Sequence, residues 1–125
     1  MSKLIELRTH GDERGDLTVI EKEISFDVKR VFYIYNTKTD IVRGGHRHKK
    51  TIQAVIAIGG SCSIYINNGV DEYKVILDTP TKMLLLAPED WHTMQNFTDD
   101  CILLVLASEY YDAEDYIFEG YSKND

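Results

Sequence analysis

The chain is poor in several things, and each shortage excludes something. Its 125 residues include only two cysteines and two prolines. No apolar run approaches the roughly 18 residues of a bilayer-spanning helix, so no membrane span is expected. The start, Met1-Ser2-Lys3-Leu4-Ile5-Glu6, places an acid where a secretory signal needs a long apolar stretch. Cys62 and Cys101 lie in apolar runs, far in sequence from each other and from every histidine. Two buried, reduced thiols in a cytoplasmic protein are the expectation, with pairing of the two left open. No glycine fingerprint for a dinucleotide is present. A net charge of −7 argues against nucleic acid or an anionic membrane as partner.

Helical periodicity is also missing before residue 108. In its place, short apolar runs alternate with turn signals, the all-β pattern. Strands are expected near Leu17–Glu21, Arg30–Tyr35, Val42–His48, Gln53–Ile58, Ser61–Asn67, Tyr73–Leu77, Lys82–Leu86, Thr93–Asn96 and Cys101–Ala107. Asn68-Gly69 signals a tight hairpin, and Pro80 and Pro88 both fall in turns. The acidic, tyrosine-rich segment Ser108–Tyr121 has room for one helical turn. Many short, evenly spaced strands in a chain of this length predict one domain over 1–125, an antiparallel jelly-roll barrel or sandwich.

What the chain does have is concentrated. Residues 1–50 hold 11 of the 14 Lys and Arg against 8 acids, whereas residues 51–125 hold 3 against 13. The basic excess surrounds Arg43-Gly44-Gly45-His46-Arg47-His48-Lys49-Lys50, which carries two of the four histidines. On a strand, His46 and His48 share a face and Arg47 takes the other. Two imidazoles beside the Arg43 guanidinium suit either proton transfer or metal binding. A metal needs a further ligand, for which His92 is the candidate. The cupin jelly rolls have a comparable layout, but Gln53 stands where their first motif has a Glu, and a neutral amide is a poor substitute. Without a metal, the pair suits proton transfer near neutral pH, with Arg43 stabilising an oxyanion or holding a phosphate. A plain surface cation ahead of a glycine turn is the alternative for Arg43. Taken alone, Arg14 sits in an ordinary polar turn, and Lys49 and Lys50 read as solvated cations. Arg30 interrupts a strand whose two faces are Tyr33 with Tyr35 and Arg30 with Phe32 and Ile34; alternation leaves open which face lines the barrel.

Arg43-Gly44-Gly45-His46-Arg47-His48-Lys49 resembles the Arg-Gly-x-His-x-His-Lys motif of the sugar nucleotide 3,4-ketoisomerases, which are cupin-like. Four further blocks match in order: Asp12-x-Arg14-Gly15-x-Leu17, Lys29-Arg30-Val31-Phe32-Tyr33-Ile34, Trp91-His92-x-Met94-x-Asn96-Phe97, and Leu106-Ala107-Ser108 through Asp115-Tyr116-Ile117. The resemblance implies conversion of dTDP-4-keto-6-deoxyglucose to a 3-keto sugar, ahead of transamination for surface glycans or secondary metabolites. It also implies that no metal or cofactor is required, and a homodimer with exchanged N-terminal strands. By that resemblance His48 shuttles the carbon-bound proton and His46 assists at the oxygens. Arg43 and Tyr33 contact the sugar, Arg14 and Arg30 neutralise the pyrophosphate, and Lys49, Trp91 and His92 border the substrate. The chain departs from the pattern at Arg47, where a small residue is usual, and at Gly45, where a bulkier one is common. A nucleotide-sugar 3,5-epimerase, a metal-dependent cupin and a non-catalytic sugar-nucleotide-binding module are the alternatives.

Overall fold

A computed structural model describes residues 2–121. Twelve strands run in order: β1 (Lys3–Glu6), β2 (Arg8–Asp12), β3 (Gly15–Val19), β4 (Arg30–Ile34), β5 (Arg43–His48), β6 (Gln53–Gly59), β7 (Cys62–Asn67), β8 (Glu72–Leu77), β9 (Lys82–Leu86), β10 (Trp91–Gln95), β11 (Ile102–Ala107) and β12 (Tyr116–Ile117). A single 3₁₀ turn, Ala113–Asp115, is the one helical piece among the described residues. Two five-stranded sheets form, in the orders β1-β9-β6-β11-β4 and β12-β5-β10-β7-β8, and β2-β3 is a separate hairpin. Every pairing is antiparallel. This is the all-β jelly roll expected from the turn spacing.

The main core lies between the two sheets. Val55, Ala57, Leu84, Leu86, Leu103 and Val105 of the first face Ile64, Ile66, Leu77 and Met94 of the second. A second cluster covers the back of the first sheet. There Ala54, Ile56 and Met83 pack under Ile20, Ile24 and Phe26. β6 is therefore apolar at successive positions, as a strand buried on both faces must be. Cys62 and Cys101 are both buried and free. Burial pushes the Cys62 thiol up to about 12, with the adjacent Cys101 adding to the shift.

Three elements went unanticipated in the sequence: β1, β2 and β12. The first two are largely exposed, so they lack the apolar alternation that marks a half-buried strand. β12 has two residues, too few for any period. β10 begins at Trp91, two residues before the expected start, and this sets the faces of Trp91 and His92.

Candidate active site

Strands β5 and β10 lie side by side in the second sheet, and their inward residues build the site. His46 stands opposite His92, and Arg43 opposite Met94. Strict alternation would send Arg43 to the face opposite His46, since the two are an odd number of residues apart. A β-bulge resolves this. The register shifts beside Gly45, leaving one extra residue on β5. Gly44 and Gly45 both take positive φ, +84° and +82°. A Cβ on Gly44 would meet the His92 carbonyl oxygen at 2.9 Å. The Gly-Gly pair thus lets β5 slip by one residue and turns Arg43 inward beside the histidines.

The result is a cluster of rings. His46 lies 5.0 Å from His48 and 5.1 Å from His92, centroid to centroid. His48 and His92 are 6.3 Å apart and stacked. Tyr116 closes over both β5 histidines, at 4.6 Å from His46 and 4.8 Å from His48. In front of them is a cavity of about 210 Å³ lined by Phe32, Ile34, Arg43, His46, Gln53, His92, Met94 and Tyr116. Gln53 is buried and its Oε1 has no partner.

Two of the imidazoles are held in a defined tautomer. His48 Nδ1 donates to Asp115 Oδ2 at 2.9 Å, and both side chains are almost fully buried. Asp115 also accepts from the Lys50 amide at 2.9 Å and from the Thr51 hydroxyl. Burial pushes the Asp115 carboxyl upward, but those donors outweigh it and hold it at about 2, so it is ionised. With Nδ1 donating, His48 presents its Nε2 lone pair, which is buried without a protein partner. Burial lowers the His48 pKa, Asp115 partly restores it, and Arg30 lowers it further. His92 donates from Nδ1 to the Asp90 carbonyl at 3.0 Å, so its free nitrogen is also Nε2. Burial brings both His92 and His46 down to about 4, and neighbouring imidazoles add to the effect. All three rings are neutral at pH 7. Two of them offer unpartnered lone pairs inside the barrel, with Arg43 at the cavity wall.

The remaining residues singled out in the sequence fall elsewhere in part. Arg30 does point inward, its guanidinium 4.9 Å from the Phe32 ring and its Nε buried without a partner. It sits by His48 rather than with Arg14. Arg14 lies in the β2–β3 turn, bonded to Asp12 at 2.7 Å and highly exposed. Tyr33 faces outward: it is 61% exposed and stacks on Tyr35, because Phe32 and Ile34 take the inner face of β4. The sugar contact expected of Tyr33 therefore has no basis in the cavity of its own chain. Trp91 points to the outer face of β10, next to inward His92, and Lys49 is exposed past the end of β5. Asp115, Thr51 and Tyr116 carry the site without having been assigned roles from sequence. Asp115 and Tyr116 lay within the last matched block, but nothing local marked them as partners of His48, some 67 residues away. Among the described residues, no group of three or more His, Cys, Asp or Glu is disposed to hold a metal ion.

Comparison with known proteins agrees with this geometry. The family model described as "FdtA: WxcM-like, C-terminal" matches residues 1–123. The chain belongs to this family. It is 42% identical over 118 residues to the TDP-4-oxo-6-deoxy-alpha-D-glucose-3,4-oxoisomerase of Aneurinibacillus thermoaerophilus, covering 93% of this chain and 85% of the relative. Among solved structures it is similar to a double variant of the 3,4-ketoisomerase QdtA from Thermoanaerobacterium thermosaccharolyticum in complex with TDP. That match has 45% identity, a TM-score of 0.91, and 94% and 87% of the two chains covered. The WlaRB TDP-quinovose 3,4-ketoisomerase of Campylobacter jejuni matches at 41% identity and TM-score 0.90, over 94% and 92% of the two chains. A dTDP-4-dehydrorhamnose 3,5-epimerase from Bacillus anthracis matches at TM-score 0.79 but only 20% identity, over 92% of this chain and 76% of that one, and so shares the fold. FdtA-type membership is thus carried by near relatives that are ketoisomerases, with the epimerase at a distance.

Proposed function

We propose that this FdtA-family chain is a sugar nucleotide 3,4-ketoisomerase that converts a TDP-4-keto-6-deoxyglucose into the 3-keto isomer by proton transfer through His48. The observation that carries this is the His48–Asp115 pair: an ionised carboxylate on Nδ1 and a free Nε2 lone pair, on a ring packed against His46 and Tyr116, which line the cavity. The hydrogen on C3 of a 4-keto sugar is acidic because it lies next to the carbonyl. His48 removes it, and the electron pair moves through C3–C4 to the C4 oxygen, giving an enediolate. The proton is then delivered to C4, the O3 hydroxyl loses its proton as the C3 carbonyl forms, and O4 ends protonated. C3 is oxidised and C4 reduced by the same electron pair, so the balance needs no external oxidant or reductant.

The other groups support this step. Arg43 at the cavity wall stabilises charge on the enediolate oxygens. His46, His92 and Gln53 supply neutral polar contacts to the hydroxyls, and Phe32, Ile34 and Met94 exclude water. The cavity, about 210 Å³, is smaller than the roughly 300–1,000 Å³ of sites for larger ligands, so it suits the hexose and leaves the nucleotide at the mouth. Arg30 serves the sugar end, and Arg14 and Lys49 are left for the outer part of the substrate; Trp91, held against Phe118 and Gly120 on the outer face of β10, is not placed for it.

The enzyme works in the cytoplasm as a homodimer that exchanges N-terminal strands, and its product feeds a transaminase for deoxysugars of surface glycans. Two features support the dimer. The β2–β3 hairpin pairs with no other strand among the described residues, and Leu17 on it is exposed. The outer face of β4 and the residue that follows it show Val31, Tyr33 and Tyr35 to solvent. β1 pairs with β9 of its own chain, so the hairpin is the part free to cross. Incubation with dTDP-4-keto-6-deoxyglucose in D2O, followed by NMR, tests the activity. The expected product has its ketone at C3, with deuterium at C4 in the fraction of turnovers in which the His48 proton exchanges with solvent before its return, and His48→Asn loses nearly all turnover. Binding without product, or near-normal turnover by His48→Asn, would overturn the assignment.

A further inference from the structure

Arg47 stands between the two catalytic histidines and points away from both, to the outer face of β5. Its surroundings there are specific. Nε donates to the Glu119 carbonyl at 3.2 Å, and a terminal nitrogen donates to the Tyr121 hydroxyl at 3.0 Å. The guanidinium also lies 4.2 Å from the Tyr121 ring centroid. The Tyr121 hydroxyl donates onward to the Glu89 carbonyl at 2.7 Å. Trp91, on the outer face of the next strand, donates from Nε1 to the Phe118 carbonyl at 3.1 Å, and Gly120 passes over its ring. Gly69 gives the Tyr121 ring its seat, since a Cβ there would lie 3.0 Å from it.

The segment held in this way is the one that carries Tyr116. β12 pairs with β5 through two residues only, Tyr116 opposite His48 and Ile117 opposite Arg47. Two residues of edge pairing hold a strand weakly. Tyr116 faces inward over His46 and His48, and Phe118 lies 6.2 Å from the His46 ring. One strap thus has two ends: a ring wall over the imidazoles inside, and a polar and aromatic clasp outside.

We propose that Arg47, acting with Trp91 and Tyr121, is a positioning residue that clasps the C-terminal strap and so fixes Tyr116 as the wall over His46 and His48. Arg47 does not touch the substrate; it acts through the strap. The proposal rests on the ketoisomerase reading for its kinetic test, and it has a second test that does not.

His48 is faced by His46 from β5, His92 from β10, Arg30 from β4, Asp115 from the 3₁₀ turn and Tyr116 from β12. Burial is the main cause that lowers its pKa. Opening the strap admits water while leaving the Asp115 bond in place, so the imidazole titrates at higher pH. In the enzyme this moves the acid limb of the kcat profile upward and lowers kcat on the order of ten- to a hundred-fold, the scale of a displaced positioning group.

The experiment compares wild type, Arg47→Ala, Arg47→Lys and Tyr121→Phe. Two readouts are used: kcat and KM against pH, and the His48 imidazole titration by NMR on substrate-free protein. Arg47→Ala is expected to lower kcat more than it raises KM, and to shift the His48 titration up. Arg47→Lys, which keeps the charge but loses the planar fork and stack, recovers only part. Tyr121→Phe removes the bridging hydroxyl at the surface and shifts both readouts in the same direction by less; it decides the matter if Arg47→Ala fails to fold. Variants with wild-type kcat and an unmoved His48 titration would refute the clasp, whether or not their melting temperature falls. If wild type shows no ketoisomerase activity, the functional reading fails and the NMR titration alone decides the clasp.

Discussion

Packing three neutral imidazoles into one cluster, two of them buried and His46 half-buried, makes the fold sensitive to mild acid, and the size of the effect follows from the structure. His46 and His92 are both lowered from 6.5 to about 4, chiefly by burial. A group with a depressed basic pKa takes up its proton in the unfolded chain first. Stability is therefore complete above pH 6.5 and is lost as the pH falls toward 4. The His92 ring is worth about 3 kcal/mol over that window; His46, only half-buried and so partly screened by solvent, is worth about half as much, and His48, also lowered, acts in the same direction. Asp90, whose carboxyl is raised by burial, opposes them in the lower part of the window. Asp115, held at about 2, contributes in a separate range: its stabilisation is intact above pH 3.8 and is lost only below. The net loss between pH 6.5 and 4 is about 4 kcal/mol, a large part of the stability of a domain of this size. Urea unfolding followed by Trp91 fluorescence, in half-unit steps from about pH 7.5 to pH 4, measures it. The expected slope approaches two protons, about 2.7 kcal/mol per pH unit at its steepest. His92→Gln should reduce that slope by close to half. A flat profile between pH 6.5 and 4, or an unchanged slope in His92→Gln, would refute the reasoning.

Asp115→Asn keeps the shape of the turn but removes the charge that orients and supports His48. kcat should fall by roughly 10²–10³-fold with little change in KM, measured by the appearance of the 3-keto product. Gly44→Ala forces a Cβ against the His92 carbonyl at a positive φ, so it should cost about 1–3 kcal/mol in urea unfolding and lower kcat as well.

The jelly roll was readable because its signals are local. Apolar runs bounded by Asn68-Gly69, Pro80 and Pro88 appear directly in the chain, and they mark the strands of both sheets other than the edge strands β1 and β12. The parity of the histidine motif was readable for the same reason, including the outward turn of Arg47. Arg43 was placed correctly beside the histidines, but alternation alone predicts the opposite face; only the bulge, invisible in an alternating pattern, brings it in. Asp115 was hidden by distance, since a lone aspartate in an acidic segment has nothing to mark it until the 3₁₀ turn docks it under His48. For Tyr33, two faces were open in the sequence, and the packing of Phe32 and Ile34 against the core selected the outer one. Trp91 could have been excluded from the cavity by parity with His92, which a strand starting at residue 91 makes explicit.

The slip at Gly45 changes how lengths should be compared in this part of the chain. A β5 one residue shorter, with Gly45 removed, would pair regularly with β10 and still present Arg43 opposite Met94. A β5 of the same length with a side chain at that position keeps the bulge only by holding that residue at a positive φ, a strain glycine avoids. A one-residue gap here therefore preserves the charge at the site, against what counting matched residues suggests.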